Sequence, residues 1–274
     1  IPVCEINLKL TPAEIEASDW SVTQLLFVQA VYNAQQLRFD RIEYDIVRDS
    51  MVRLREYVGL EYDAVVDLVD AGILREHGKQ PHKLYSVAPA GREVIGESYR
   101  RGVEFGHGAG DLEESAQHVL LVELLRQYIE QAYETDPESA VHRVVPYYEF
   151  QEGEAPAAAF MGETDAVEGD IDEVDRRRLD VAGLDPDGEI MVVGEAERLN
   201  NDSYEAIPAD YDKMAACDPA EAIWVTLTRD AAHDVLSTLN DPTDGETRVE
   251  KTYSENTPAR DFNLDAPGAT EIYP

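Results

Sequence analysis

The sequence predicts a two-domain chain, a mainly helical first domain joined to an α/β domain, from three observations. Capped helix starts crowd residues 11–95 around one strand, polar tip, strand segment. A Gly-rich stretch, Gly106-His-Gly-Ala-Gly110, follows them. Beyond it, helical periodicity alternates with short runs of β-branched and aromatic residues. A length of 274 residues with 43% hydrophobic side chains suits two modest domains.

Thr11-Pro12-Ala-Glu14 has the form of a capping box with proline at the first helical position, and Ser21-Val-Thr-Gln24 repeats it before Leu25, Leu26, Val28 and Val31. A third helix is expected over Glu43 to Tyr57. A fourth runs over Tyr62 to Ala71, ended by Gly72 where a left-handed residue is wanted. Ile73 to Val87 reads as a hairpin, and Pro89 to Ile95 opens another helix.

That order, with Asp70-Ala-Gly-Ile-Leu-Arg75 and Lys83-Leu-Tyr-Ser-Val-Ala-Pro-Ala-Gly91, resembles a winged helix over about residues 20–102. With an N-terminal extension, the domain is assigned to 1–102. The resemblance implies DNA contact through the helix before the wing and through basic wing residues. Here that helix carries Glu61, Asp63, Asp67 and Asp70 and no Lys or Arg, so it would meet phosphates with like charge. The basic residues expected at DNA are Arg48, Arg53 and Arg55 on the preceding helix, with Arg75, Lys79, His82 and Lys83 in the wing. From Arg38 to Arg101 there are 11 basic and 12 acidic residues, so this segment is near neutral in a chain of net charge −34. Protein docking or dimerisation is the alternative use of such a domain.

Residues 103–111 read as a linker. Its glycines are followed by no Lys-Ser/Thr pair, so it fails as a phosphate loop. The second domain, 112–274, opens with a helix over Leu112 to Tyr133. Next come a strand over Val141 to Phe150 and an acidic loop from Gly153 to Glu173. A hairpin follows: Asp185-Pro-Asp-Gly188 is a turn signal between the strand-like runs Leu179 to Leu184 and Ile190 to Val193. A short helix over Tyr211 to Ala216, a buried strand over Ala222 to Leu227, a helix over Arg229 to Leu239 and an acidic tail complete the domain.

The outer ends of the hairpin carry acids. A tight turn sets Asp180 roughly opposite Val193, and alternation lets Asp180, Glu195 and Glu197 share one face. Glu-x-Glu alone means little where acids total 57; its place at the end of an apolar strand lifts it. The order helix, strand, acid-ended hairpin, helix, strand, helix over about 112–240 resembles the PD-(D/E)XK, restriction-endonuclease-like nuclease superfamily, which implies a central mixed sheet. By that resemblance Asp180 and Glu195 hold Mg²⁺ or Mn²⁺ beside a phosphodiester. Glu197 stands where the family has its lysine. The resemblance therefore points to a relocated lysine, and Lys213 in Asp210-Tyr-Asp-Lys-Met214 is the candidate. It implies a lesser metal role for Glu123 on the first helix. Arg176, Arg177 and Arg178, directly before Asp180, are candidates for a backbone phosphate, or else neutralise the acids around them.

Lys plus Arg total 23 against 57 Asp plus Glu, with only five lysines, Lys9, Lys79, Lys83, Lys213 and Lys251. Such self-repulsion calls for screening by salt, so the acidity is read as adaptation to a saline cytoplasm rather than to a cationic partner. The resemblances are haloarchaeal in type. Cys4 and Cys217 make no disulfide framework, and six scattered histidines show no zinc spacing. No nucleophile-elbow, GxGxxG or Walker motif is present, and no apolar run is long enough to span a membrane.

The expected function is metal-dependent hydrolysis of DNA phosphodiesters guided by a winged helix. One alternative is an inactive nuclease-like fold serving as a DNA- or protein-interaction module of a larger DNA-processing ATPase. The chain also resembles C-terminal regions attached to DNA-translocating or conjugation-type ATPases on mobile elements. A start at Ile1 and a stop at Pro274 are expected of a fragment of such a protein. A transcription regulator is a further alternative, and a homodimer is left open.

Overall fold

The first two helix starts follow the capping chemistry. The computed structural model describes residues 6–78, 82–97, 115–134, 136, 139–150, 178–198, 203–250, 263–264 and 269–273. The chain divides into two units, Ile1–Leu120 and Leu121–Pro274. The division falls within the helix expected to open the second domain. Ala116, near that helix's start, donates its N–H to Ser86 Oγ at 2.8 Å. The expected linker and the acidic loop lie outside the described residues.

Helices α1 (Pro12–Ala17) and α2 (Val22–Gln35) each open on a complete capping box, at Thr11 and Ser21. These boxes satisfy amide groups that a helix start leaves orphaned. α2 is buried on nearly every side, which places it at the centre of its unit. Its buried amide side chains make cross-links within the unit. Gln29 donates to Asn33 Oδ1 at 3.1 Å and to Glu97 Oε1 at 3.2 Å, and Gln35 Oε1 accepts the Val87 N–H at 2.7 Å.

The third helix is shorter than its expected span from Glu43: α3 covers Val52–Val58. Two aspartates hold the preceding stretch in turns. Asp45 Oδ1 accepts the Val47 N–H at 2.9 Å, and Asp49 Oδ2 accepts the Asp45 N–H at 3.0 Å. Such local carboxylate bonds compete with the helical ladder. α4 (Tyr62–Asp70) ends as expected, with Gly72 at φ +70°. β1 (Leu74–Glu76) and β2 (Tyr85–Val87) pair antiparallel, and α5 (Pro89–Val94) packs against them. A Cβ on Gly91 would stand 2.3 Å from the Ile73 carbonyl oxygen, so the approach requires glycine.

In the second unit, α6 (Ala116–Ile129) runs into a π turn, Glu130–Glu134. The strands and helices that follow are β3 (Arg143–Glu149), β4 (Arg178–Leu184), β5 (Ile190–Glu197), α7 (Ser203–Ala216), β6 (Glu221–Thr226), α8 (Arg229–Asn240), β7 (Asn263–Leu264) and β8 (Ala269–Tyr273). The class is α/β: a mixed sheet in the order β3-β4-β5-β6-β8-β7, in addition to the small antiparallel sheet of the first unit. β3, β4 and β5 are antiparallel, while β5, β6 and β8 run parallel. The helices α7 and α8 supply the crossovers that parallel pairing needs.

Two expectations are corrected here. The short helix at Tyr211 to Ala216 is a 14-residue helix with Pro208 inside it. Proline hides its first half, and tertiary packing of Ile207 and Met214 overrides it. The acidic tail is also more than a tail, since its backbone adds β8 beside β6. Ala182, Leu184, Val193, Ala222 and Trp224 form one core face of the sheet with Ile207 and Met214 of α7 and Val235, Leu236 and Leu239 of α8. The opposite face meets α6, where a Cβ on Gly194 would be 2.6 Å from Leu125 Cδ2. Among the described residues no helix is long and apolar enough to cross a membrane.

Candidate active site

The β4–β5 turn is built by Asp185. Its Oδ1 accepts the N–H groups of Asp187 and Glu189 at 2.8 and 2.9 Å, and Gly188 takes φ +93°. A register shift between Gly183 and Leu184 follows, and from there Gly183 faces Val192, Ala182 faces Val193 and Val181 faces Gly194. The residue opposite Val193 is thus Ala182, not Asp180 as a tight turn implied. The irregularity slides β4 along its partner and carries Asp180 past the last paired residues, level with the outer end of β5.

There Asp180 Oδ2 accepts the Ala196 N–H at 2.8 Å. Alternation puts Asp180 with Ala182, and Glu195 with Val193, on the face that α7 and α8 cover. Asp180 and Glu195 are each 6% exposed, and Trp224 on parallel β6 is in register with Glu195. Lys213 of α7, 5% exposed, reaches down onto this face. Its Nζ lies 3.0 Å from Glu195 Oε1 and 2.7 Å from Asp210 Oδ1. The Asp210 contact is a hydrogen bond. The Glu195 contact is an ion pair at the longer distance.

Burial pushes the Glu195 carboxyl well up; Lys213 opposes that shift, while Asp180 and Asp210 add to it. Burial alone would lower the Lys213 ammonium, but Asp210 and Glu195 outweigh it and hold the group charged. Cys217, one turn further along, donates its thiol to the Lys213 carbonyl at 3.3 Å. Burial pushes that thiol up to about 12.

The other expected site residues are placed as follows. Glu197 ends β5 in register with Thr226, half-buried and on the same strand face as Glu195. Glu123 is on α6, whose Leu125 packs against the other face of the sheet, and it is paired with Arg126 at 3.0 Å. Arg178 is 4% exposed, with its guanidinium 5.1 Å from the Tyr147 ring centre. Arg176, Arg177 and Lys79 lie outside the described residues.

In the first unit, Arg53 and Arg55 stand on α3, and Arg48 in the turns before it rather than on that helix. Arg48 is 3.6 Å from Asp45, Arg53 2.8 Å from Asp49 and Arg55 3.7 Å from Glu56. Lys83 pairs with Glu76 and lies over the Tyr85 ring, and a ring nitrogen of His82 is bonded to the Ile46 carbonyl at 2.9 Å. Arg75 is exposed on β1. The acids Asp63, Asp67 and Asp70 on α4, and Glu61 just before it, are exposed too.

Asp210 is the residue that sequence reasoning missed. Its only signal was a position three before Lys213, which on a helix makes the two neighbours. Among the described residues, no three His, Cys, Asp or Glu side chains are grouped to hold a metal ion. No protein-family model matches the chain, and neither does any curated protein or solved structure.

Proposed function

We propose that the second unit is a nuclease-like domain of PD-(D/E)XK type, hydrolysing DNA phosphodiesters with Mg²⁺ or Mn²⁺. The observation behind this reading is the 3.0 Å approach of Lys213 Nζ to Glu195 Oε1 on the sheet face that also bears Asp180. Acid, acid and lysine meet although the lysine is absent from the strand itself. Asp180 and Glu195 would hold the cation. Two carboxylates on one sheet face are hard oxygen ligands of the kind Mg²⁺ takes. When bound, the cation supplies Lewis acidity and a water of lowered pKa.

The chain's own residues do the rest. The Ala196 N–H fixes the direction of Asp180. Lys213 brings a positive charge toward the oxygen on which charge develops, and Glu197 assists at the end of β5. The first unit would be a winged helix that meets DNA through Arg75 and the wing, with the acidic α4 turned away from phosphates.

A second reading has its own support. Asp180, Glu195 and Lys213 are nearly fully buried, and Lys213 is held by two acids. That suits a site retained as structure in an interaction module of a larger DNA-translocating ATPase.

Cleavage of plasmid, linear duplex and single-stranded DNA at molar KCl with Mg²⁺ or Mn²⁺ separates the two readings. Cutting that Glu195→Gln and Lys213→Ala both abolish is the expected result. No cutting of any substrate by the parent protein rejects the nuclease and leaves the module.

A further inference from the structure

We infer that Asp210 is a positioning residue, which anchors the Lys213 ammonium and so keeps Glu195 Oε1 available as a ligand. The inference rests on the nuclease-like reading of the site for its purpose, but the arrangement it describes is independent of cleavage. Three observations lead to it.

The two contacts of Lys213 Nζ are unequal. The one to Asp210 Oδ1, at 2.7 Å, is the shorter, and the one to Glu195 Oε1, at 3.0 Å, is the longer. The ammonium, which carries three N–H donors, makes its shorter contact with Asp210 and meets Glu195 at the longer distance. The partners also differ in freedom. The Asp210 side chain is 28% exposed and sits one turn from Lys213 on the same helix, whereas the Glu195 side chain is 8% exposed and belongs to the sheet. A one-turn pair on α7 stays together whatever β5 does. Finally, a buried ammonium paired with Glu195 alone would leave no counter-ion whenever that carboxylate turned to another cation, at a large desolvation cost. Asp210 removes that conflict, since the lysine stays neutralised while Glu195 engages a metal.

The test uses the whole chain at molar KCl, labelled with ¹⁵N-lysine. With only five lysines the ammonium signals are few, and Lys213→Arg identifies the one that is absent. A buried, bonded ammonium exchanges slowly with water and gives a sharp signal. Asp210→Asn is expected to broaden or remove it, and Asp210→Glu to keep it. Asp210→Ser carries the same expectation as the asparagine variant should that variant not fold.

In Mn²⁺-supported cleavage, Asp210→Asn is expected to lower kcat about tenfold with KM nearly unchanged, and Asp210→Glu to recover most of it. A Lys213 signal unchanged in Asp210→Asn overturns the inference, as does full cleavage by that variant. If the parent protein cuts nothing while the signal still depends on Asp210, the nuclease reading falls and the anchoring role stands.

Discussion

Asp180 Oδ2 accepts the Ala196 N–H at 2.8 Å across the open end of the β4–β5 ladder, where backbone pairing has stopped. A side chain thus replaces the missing rung, and the same bond aims the acid. Asp180→Ala leaves that amide without this partner and is expected to cost about 1–3 kcal/mol. Asp180→Asn keeps an acceptor and should cost less, while still removing any metal-dependent cleavage. Urea unfolding and cleavage assays on both variants at molar KCl check this.

Lys213 and Glu195 are a buried pair. Lys213→Met strands Glu195 without its cation and is expected to destabilise by about 3–5 kcal/mol, the usual cost of breaking such a pair from one side. Adding Glu195→Gln should recover much of that loss. Additive losses in this double-mutant cycle would show that the two side chains are not coupled.

Glu97 gives a pH dependence in the first unit. Its side chain is 1% exposed and bound by Lys9, Gln29 and Arg38. Burial would raise its pKa, but those partners outweigh it and hold the carboxyl below its ordinary value of 4.5. The folded protein thus binds fewer protons than the unfolded chain in that window, and stability rises with pH there. Glu97's contribution is complete above about 4.5 and is lost as pH falls through the folded value. Glu97→Gln is expected to be less stable than the parent near neutrality by about 1–3 kcal/mol, with a shallower loss in acid. Thermal unfolding across pH 3–7 at constant KCl, with ~1-unit steps, measures both slopes.

Cys217 should be inert. With its thiol raised to about 12, it is almost wholly protonated at neutral to mildly alkaline pH, and the thiolate is the reactive form. Iodoacetamide at about pH 8 is expected to spare Cys217 in the native protein and to modify it in guanidinium, as read by peptide mass spectrometry. Rapid native labelling would show that the thiol is less buried than described.

The net charge of −34 makes stability depend on salt. Lowering KCl from about 1 M to 0.1 M lengthens the Debye length from about 3 Å to 10 Å and exposes each acid to more of its neighbours. The melting temperature is expected to fall steeply over that range. A flat response would separate the acidity from salt adaptation.

The sequence by itself determined what depends on neighbours along the chain. Capping boxes at Thr11 and Ser21, Gly72 as helix terminator and the Asp185 turn are local chemistry, and each stands where the residues put it. The acids at the hairpin's end were legible for the same reason, since alternation along a strand needs no partner. Only the tertiary structure decided the rest. The pairing of Leu184 with Ile190 and the register shift at Gly183 together moved Asp180 from its expected level with Val193, because pairing is settled between strands. The length of α7 was decided by packing of Ile207 and Met214 against the sheet, which overrides a proline that speaks against helix. The meeting of Lys213 with Glu195 belongs with these. It depends on where a crossover helix lands on a sheet, and on a burial that changes the charge preferences of every group it covers.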